Sequence, residues 1–287
     1  LKVITSLVAL RQELAVIRQQ GHRIALVPTM GNLHRGHLRL VEEARRFGDR
    51  VVATIFVNPT QFAPGEDFDC YPRTPEADIR ALEMAGADIL FMPQILEMYP
   101  GSLKAMTTVH VPGLSEELCG AFRPGHFQGV ATIVLKLFNM VAPQSAVFGE
   151  KDFQQLEIIR RMVHDLNLPI ALHGVSTVRE SSGLAMSSRN AYLSEEERQT
   201  AALIYQTLQT LAKALRSFGV AQIEMLEKNA ATELTLAGFS VDYVSVRCVA
   251  DLSLPQGNEL PSSLVILAAA RLGRTRLIDN LKVADAS

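Results

Sequence analysis

Residues 24–57 read IALVPTMGNLHRGHLRLVEEARRFGDRVVATIFV. Ile24-Ala25-Leu26-Val27 is an unbroken apolar run that ends at Pro28, and Val51 to Val57 is a second, bounded by Asn58-Pro59. Between them Leu38, Leu40, Val41 and Ala44 fall on one side of a helical pattern, with Arg39, Glu42, Glu43 and Arg45 on the other. Strands without polar alternation are buried on both faces, as in a parallel sheet covered by helices. The rhythm continues outward. Glu76 to Ala85 reads as a helix, Asp88 to Met92 as a strand, and Ala146-Val147-Phe148 as a strand closing on Gly149. Leu156, Ile159, Met162 and Val163 then mark a helix, and Ile170 to Val175 a strand. The fold class is α/β, a Rossmann-like doubly wound parallel sheet, in which ligands lie beyond the C-terminal ends of the strands.

The last third has a different order. Ser194 before Glu195-Glu196-Glu197 has the form of a helix start, a capping serine with acids in the first turn. That helix runs to about Phe218, where Gly219 ends it, and a second spans Ala221 to Leu236. Phe239 to Val249 and Leu264 to Ala270 read as strands. Helices followed by strands indicate a smaller C-terminal α+β domain, so the expected division is 1–176 and 177–287.

With 48% hydrophobic and 20% charged residues the chain has ordinary globular composition. A net charge of -2 supplies no basic field for nucleic acid or an anionic membrane, so any polyanion must be gripped locally. Cys70, Cys119 and Cys248 form no C-x-x-C pair, which fits thiols of a reducing compartment. The first twenty residues lack the apolar core of a signal peptide, and Val130 to Phe148 is interrupted by Lys136, Asn139, Pro143 and Gln144. The expected address is cytoplasmic, without a membrane partner.

Four loops carry the chemistry. The first is Pro28 to His37, between a strand and a helix start, where backbone amides and the helix dipole favour phosphate. Gly31 and Gly36 have the spacing of a Walker A loop, but His37-Leu38 replaces the lysine and hydroxyl, so another grip is needed. The remaining feature is H-x-G-H, with His34 and His37 on one side of a turn, able to donate to phosphate oxygens as charge builds. The second loop, Asn58 to Phe62, offers the amide of Gln61, which holds a hydroxyl or carboxylate without adding charge. Asp78, in the helix that follows, either faces a magnesium ion or caps its own helix. In the third loop Gly149 permits close approach, Lys151 supplies a point charge, and Gln155 lies a turn into a helix. Upstream, Arg123 to Phe127 either furnishes another cation or leads into a helix. The fourth loop, Met186-Ser187-Ser188-Arg189-Asn190, is a compact oxyanion-binding set at the domain junction, where a mobile clamp is expected.

H-x-G-H with a later Ser/Arg loop resembles the HxGH nucleotidyl-transferase superfamily. PTMGNLHRGH, IFVNPTQF, YPRTP, RPGHFQGV, FGEKDFQQL, GLAMSSRN and RLIDN together resemble the pantothenate synthetase (pantoate–β-alanine ligase) family along nearly the whole chain. By that resemblance methionine is expected at position 60, where this chain has Thr60. The resemblance implies an AMP-forming ligase that condenses (R)-pantoate with β-alanine through a pantoyl adenylate, releasing pyrophosphate and AMP. It implies ATP contacts from Met30, Gly31, Asn32, Leu33, His34, Arg35, Gly36 and His37. Further contacts are implied from Gly149, Glu150, Lys151, Asp152, Val178, Met186, Ser187, Ser188 and Arg189. His34, His37, Lys151 and Arg189 would be the catalytic charges, Gln61 and Gln155 would hold pantoate, and Asp78 is the metal candidate. The resemblance also implies Mg²⁺, a homodimer and a C-terminal lid. The alternatives are another HxGH-type nucleotidyl transferase or a catalytically silent nucleotide-binding module.

Overall fold

The computed structural model describes residues 1–103 and 105–285. In chain order the elements are β1 (Lys2–Ile4), α1 (Leu7–Gln19), β2 (Ile24–Thr29), α2 (Arg35–Ala44), β3 (Arg50–Ile55), α3 (Pro75–Ala85) and β4 (Ile89–Phe91). They continue with α4 (Ile95–Met98), α5 (Cys119–Phe122), α6 (His126–Val141), β5 (Ser145–Gly149), α7 (Phe153–Asp165) and β6 (Ala171–Val175). The remainder is α8 (Glu195–Ala201), α9 (Leu203–Phe218), α10 (Ile223–Leu236), β7 (Ser240–Cys248), β8 (Leu264–Leu272) and β9 (Thr275–Lys282). The chain forms two compact units, Leu1–Glu150 with Ile158–Ser176, and Lys151–Glu157 with Thr177–Ser287.

The first unit holds a six-stranded sheet in the order β1-β4-β3-β2-β5-β6, parallel throughout. From β2 the chain winds outward through β3 to β4, then returns to lay β5 on the other flank of β2. The order therefore reverses at β2, and the loop after β2 stands at the switch point where α/β sheets bind ligands. Ala25 and Val27 pack with Val51, Ala53, Leu90 and Val147 against Leu40, Val41 and Ala44 of α2 and Leu82 of α3. Each such fully buried Val or Leu contributes roughly 1.5–3 kcal/mol. On the other face α6 packs on α1 and on β2, and ten of its sixteen residues are buried, so it is apolar nearly all round.

Two expectations about this sheet change. The run expected to end at Pro28 continues to Thr29, with Pro28 paired in register to Thr54. Thr29 O accepts from Phe56 N on the β3 side, so the neighbouring Pro28 faces β5, where pairing has stopped at Leu26. The missing proline N–H therefore removes no ladder bond. The other change is an added edge strand, β1, which the periodic N-terminal pattern conceals.

The second unit holds an antiparallel sheet, β7-β8-β9, covered by α9 and α10. Ile204, Leu208, Leu211 and Leu215 of α9 pack with Leu264, Ile266, Ala268, Leu277 and Leu281 in its core. Ser194 and Glu197 form a reciprocal capping box at the start of α8. The single helix expected from there to Phe218 is two, joined at Ala202.

Candidate active site

The loop after β2 is held by one carboxylate. Gly31 and Asn32 both have left-handed backbones, φ 82° and 48°, which turns the Asn32 and Leu33 amides toward α3. There Asp78, 3% exposed, accepts from Asn32 N at 2.9 Å, Leu33 N at 2.8 Å and the Thr74 hydroxyl at 3.1 Å. A β-carbon at Gly31 would meet Ile55 Cγ2 at 3.0 Å and Asp78 Oδ2 at 3.1 Å, so glycine is required by both conformation and space. Asp78 does not cap its own helix; its carboxylate is the anchor of the H-x-G-H loop. Asp78→Ala would strand two amide donors and is expected to cost at least about 2 kcal/mol, read from urea unfolding.

Four further amides here are also engaged internally. Gly31 N donates to Thr29 Oγ1, Gly36 N to His34 Nδ1, His37 N to His34 O, and His34 N to His37 Nδ1 at 3.4 Å. The helix start is capped by its own side chains, in a reciprocal box between His34 and His37. The consequence lies in the imidazoles. Because each Nδ1 accepts, the neutral ring carries its proton on Nε2. The two rings stack, centroids 4.0 Å apart and 30° between planes, and present a pair of Nε2–H donors from one turn. Arg35, next to them, is exposed.

Gln61 sits at the end of the second loop in a 3-10 turn, Pro59–Gln61, and is buried. Asn58 Nδ2 donates to Gln61 Oε1 at 3.1 Å and to Gly129 O at 3.2 Å. Asn58 Oδ1 accepts from Tyr99 Oη at 2.8 Å and from the Thr60 hydroxyl at 2.9 Å. Burial raises the Tyr99 phenol above its ordinary value, with the Thr60 hydrogen bond opposing, so Tyr99 stays a donor. Gln61 Nε2 lies 3.1 Å from Met30 Sδ, which places the first two loops side by side.

The Gln61 carbonyl is gripped as well. His126 Nδ1 donates to it at 2.8 Å and Arg123 at 3.3 Å. His126 Nε2 then accepts from Arg123 at 3.0 Å, and Arg123 makes two 2.6 Å bonds to Glu66. Arg123 is therefore a brace for the Gln61 turn. Burial pushes the Glu66 carboxyl up, but the Arg123 bond and charge outweigh it, leaving it below its usual value. A lowered folded-state value means the pair stabilises the protein above about pH 4.5 and loses that contribution as pH falls through the folded value. Glu66→Gln should remove this part of the acid sensitivity. Urea unfolding at neutral pH and below about pH 4 checks it.

In the second unit, Lys151 lies in the 3-10 turn Glu150–Asp152, and Asn280 Nδ2 donates to its carbonyl at 2.8 Å. Gln155 follows in the first turns of α7 and is half-buried. Val178 to Met186 is a tight hairpin: Met186 N donates to Val178 O, Glu180 N to Leu184 O, and Gly183 turns it with φ 94°. Ser187 then caps a 3-10 turn, Ser188–Tyr192, through Arg189 N. Asn190 ties that turn back to Ala185 O and Glu180.

The family model for pantoate-beta-alanine ligase matches residues 2–282. The chain belongs to that family. A pantothenate synthetase of Methylococcus capsulatus is 54% identical over 283 residues, covering 99% of this chain and 98% of its own. One from Shewanella loihica is 56% identical, covering 94% and 97%. Among solved structures, pantothenate synthetase from Thermus thermophilus superposes with a TM-score of 0.90 at 45% identity, covering 99% of both chains. Pantoate-beta-alanine ligase from Francisella tularensis, complexed with beta-gamma ATP and beta-alanine, gives 0.79 at 30% identity, covering 99% and 98%.

Against the ligase family's motifs, sequence reasoning names the loop residues but not what holds them. Asn58 reads as a strand boundary, and Glu66 and Tyr99 are not singled out. Only the Asn-Pro turn preceding Gln61 hints at Asn58, because asparagine bonds to amides just ahead of it; its Oδ1 accepts from Thr60 N at 3.3 Å. No helix among the described residues is long and apolar enough to cross a membrane.

Proposed function

We propose that the chain condenses pantoate with β-alanine at the expense of ATP through a pantoyl adenylate. The observation that carries this reading is the stacked His34–His37 pair, two Nε2–H donors on a loop anchored at the switch point of the sheet. A pantoate carboxylate oxygen attacks the α-phosphorus, and pyrophosphate leaves with its electron pair. The charge that builds on it is met by the imidazole donors and, by family resemblance, by Lys151 and Arg189. The β-alanine amine then attacks the acyl carbon, AMP departs, and the amine loses its proton.

Two amides suit the acid substrate. Gln61 and Gln155 hold a carboxylate by hydrogen bonds and leave it nucleophilic, where a tight ion pair would quench it. The Asn58 bond to Gln61 Oε1 orients that amide so that its NH₂ is the end left to donate.

Mg²⁺ belongs to this reading as the partner of the ATP phosphates, the usual way that ion is held. Asp78, the metal candidate, accepts three hydrogen bonds within the chain, so any ion would share its oxygens with them.

The experiment is an assay of products. Pyrophosphate should appear only when pantoate is present, and AMP should equal pantothenate formed after β-alanine is added. ADP with orthophosphate, or AMP retained on the product, would overturn the reading.

A further inference from the structure

Arg276-Leu277-Ile278-Asp279-Asn280 is a motif that no step above uses. It lies on β9, which pairs with β8 at the edge of the three-stranded sheet. Successive side chains on a strand point to opposite faces, so Asp279 and Asn280 reach different elements. Asp279 shares the face of Leu277 and Leu281, which enter the core of the second unit. Asn280 shares the face of Arg276 and Lys282.

Asp279 takes the Arg179 guanidinium end-on, at 2.6 and 3.0 Å. The same guanidinium donates to Asn280 O at 3.2 Å and Gly183 O at 3.1 Å, and its Cζ stands 3.6 Å from the Tyr205 ring centroid. A β-carbon at Gly183 would come within 2.9 Å of that ring, so the hairpin tip fits closely over Tyr205. Arg179 thus closes the Val178–Met186 hairpin and locks it to β9, and Ser187 to Arg189 follow directly from it. On the opposite face Asn280 Nδ2 holds Lys151 O at 2.8 Å. The two residues are 5% and 7% exposed. Burying a carboxylate and an amide is costly, and an apolar pair of similar size would often leave a strand as stable. Their retained partners are the two loops that carry Lys151 and Arg189.

We infer that Asp279 and Asn280 are positioning residues that set the Lys151 turn and the Ser187–Arg189 turn in one fixed spacing, matched to the phosphate chain of ATP. The inference rests on the proposed reading that Lys151 and Arg189 meet those phosphates. Each acts through the loop it holds, Asp279 through Arg179 and Asn280 through the Lys151 carbonyl.

The test is a pair of double-mutant cycles read as pantoate-dependent pyrophosphate release, with thermal melting recorded for every variant. Asn280→Leu keeps the volume and removes the donor. It should lower kcat by about tenfold or more while the pantoate KM moves by less than about threefold. In a Lys151→Ala background the same change should add less than about twofold, because the group it positions is gone. Asp279→Asn should show the same dependence on Arg189→Ala. Asn280→Ser, which retains a short donor, should recover part of the rate, and it carries the first cycle if Asn280→Leu does not fold. A loss equal in both backgrounds, or one that tracks the fall in melting temperature, would make these residues structural and overturn the inference, leaving the proposed function standing. Unchanged pyrophosphate release in Lys151→Ala would instead remove Lys151 from the reaction, and the inference with it.

Discussion

Replacing His37 with alanine is expected to slow pyrophosphate release by about 10²- to 10³-fold, the scale for losing a donor aimed at developing charge. Two effects must be separated. His37 Nδ1 accepts from His34 N, so the substitution also removes part of the α2 cap. That contact is long, 3.4 Å, and a lost cap costs about 1 kcal/mol of stability, against ~2.7–4 kcal/mol of barrier for a lost transition-state donor. The barrier should therefore rise by more than the fold weakens. Urea unfolding and pyrophosphate kinetics on the same preparation give both numbers. His37→Gln, which keeps an N–H donor on a side chain of similar reach, should fall between alanine and the native residue. A rate loss no larger than the stability loss would reduce His37 to a capping residue. Protonation of the leaving pyrophosphate is not required for this result, since a donating imidazole lowers the barrier by charge stabilisation alone.

The parts of the fold that can be read in advance are those whose burial leaves an unbroken apolar run. Ile24 to Val27, Val51 to Ala53 and Ala146 to Phe148 are buried on both faces, and their sequences carry no alternation to confuse. The strands that escape notice fail that condition. Only Ile4 is buried in β1, whose Lys2-Val3-Ile4 merges with the helical pattern after it. In β9 the charges Arg276 and Asp279 sit inside the strand, where Asp242 and Arg179 pair with them. A partner distant in sequence makes a buried charge tolerable, and nothing local announces that partner.

The candidate site divides in the same way. H-x-G-H, Gln61 and Lys151 are recognisable because residue type and position after a strand already carry the chemistry. What they do not carry is direction. Asp78 lies 46 positions from Asn32 along the chain, and its turn toward the loop depends on the docking of α3 beside α2. The same docking explains why the Asn32 and Leu33 amides are occupied by a carboxylate. The metal reading of Asp78 takes residue type and position into account but not this competing demand on its oxygens.

A single methyl group at Gly129 is expected to disturb acid binding more than any surface change in the first unit. Gly129 lies in the first turns of α6, and a β-carbon there would stand 2.3 Å from Thr60 O, 2.6 Å from Thr60 C and 2.8 Å from Gln61 Cα. All three are backbone atoms, so no side chain can swing away; the helix or the Pro59–Gln61 turn must shift. Helix propensity favours alanine over glycine by about 1 kcal/mol, while overpacking of this kind costs about 1–3 kcal/mol, so the net effect on stability is a modest loss. The functional effect is larger. The Gln61 turn is fastened to α6 by the Asn58 bond to Gly129 O and the His126 bond to Gln61 O, and a shifted helix carries both fastenings with it. A displacement near 1 Å at a positioning group costs on the order of 10²-fold. Gly129→Ala should therefore lower kcat/KM for pantoate by about one to two orders of magnitude while its unfolding free energy falls by less than about 3 kcal/mol. Initial rates against pantoate at saturating ATP, beside a urea melt, check both. A variant more stable than the native chain and unaltered toward pantoate would show that α6 and the Gln61 turn do not meet backbone to backbone.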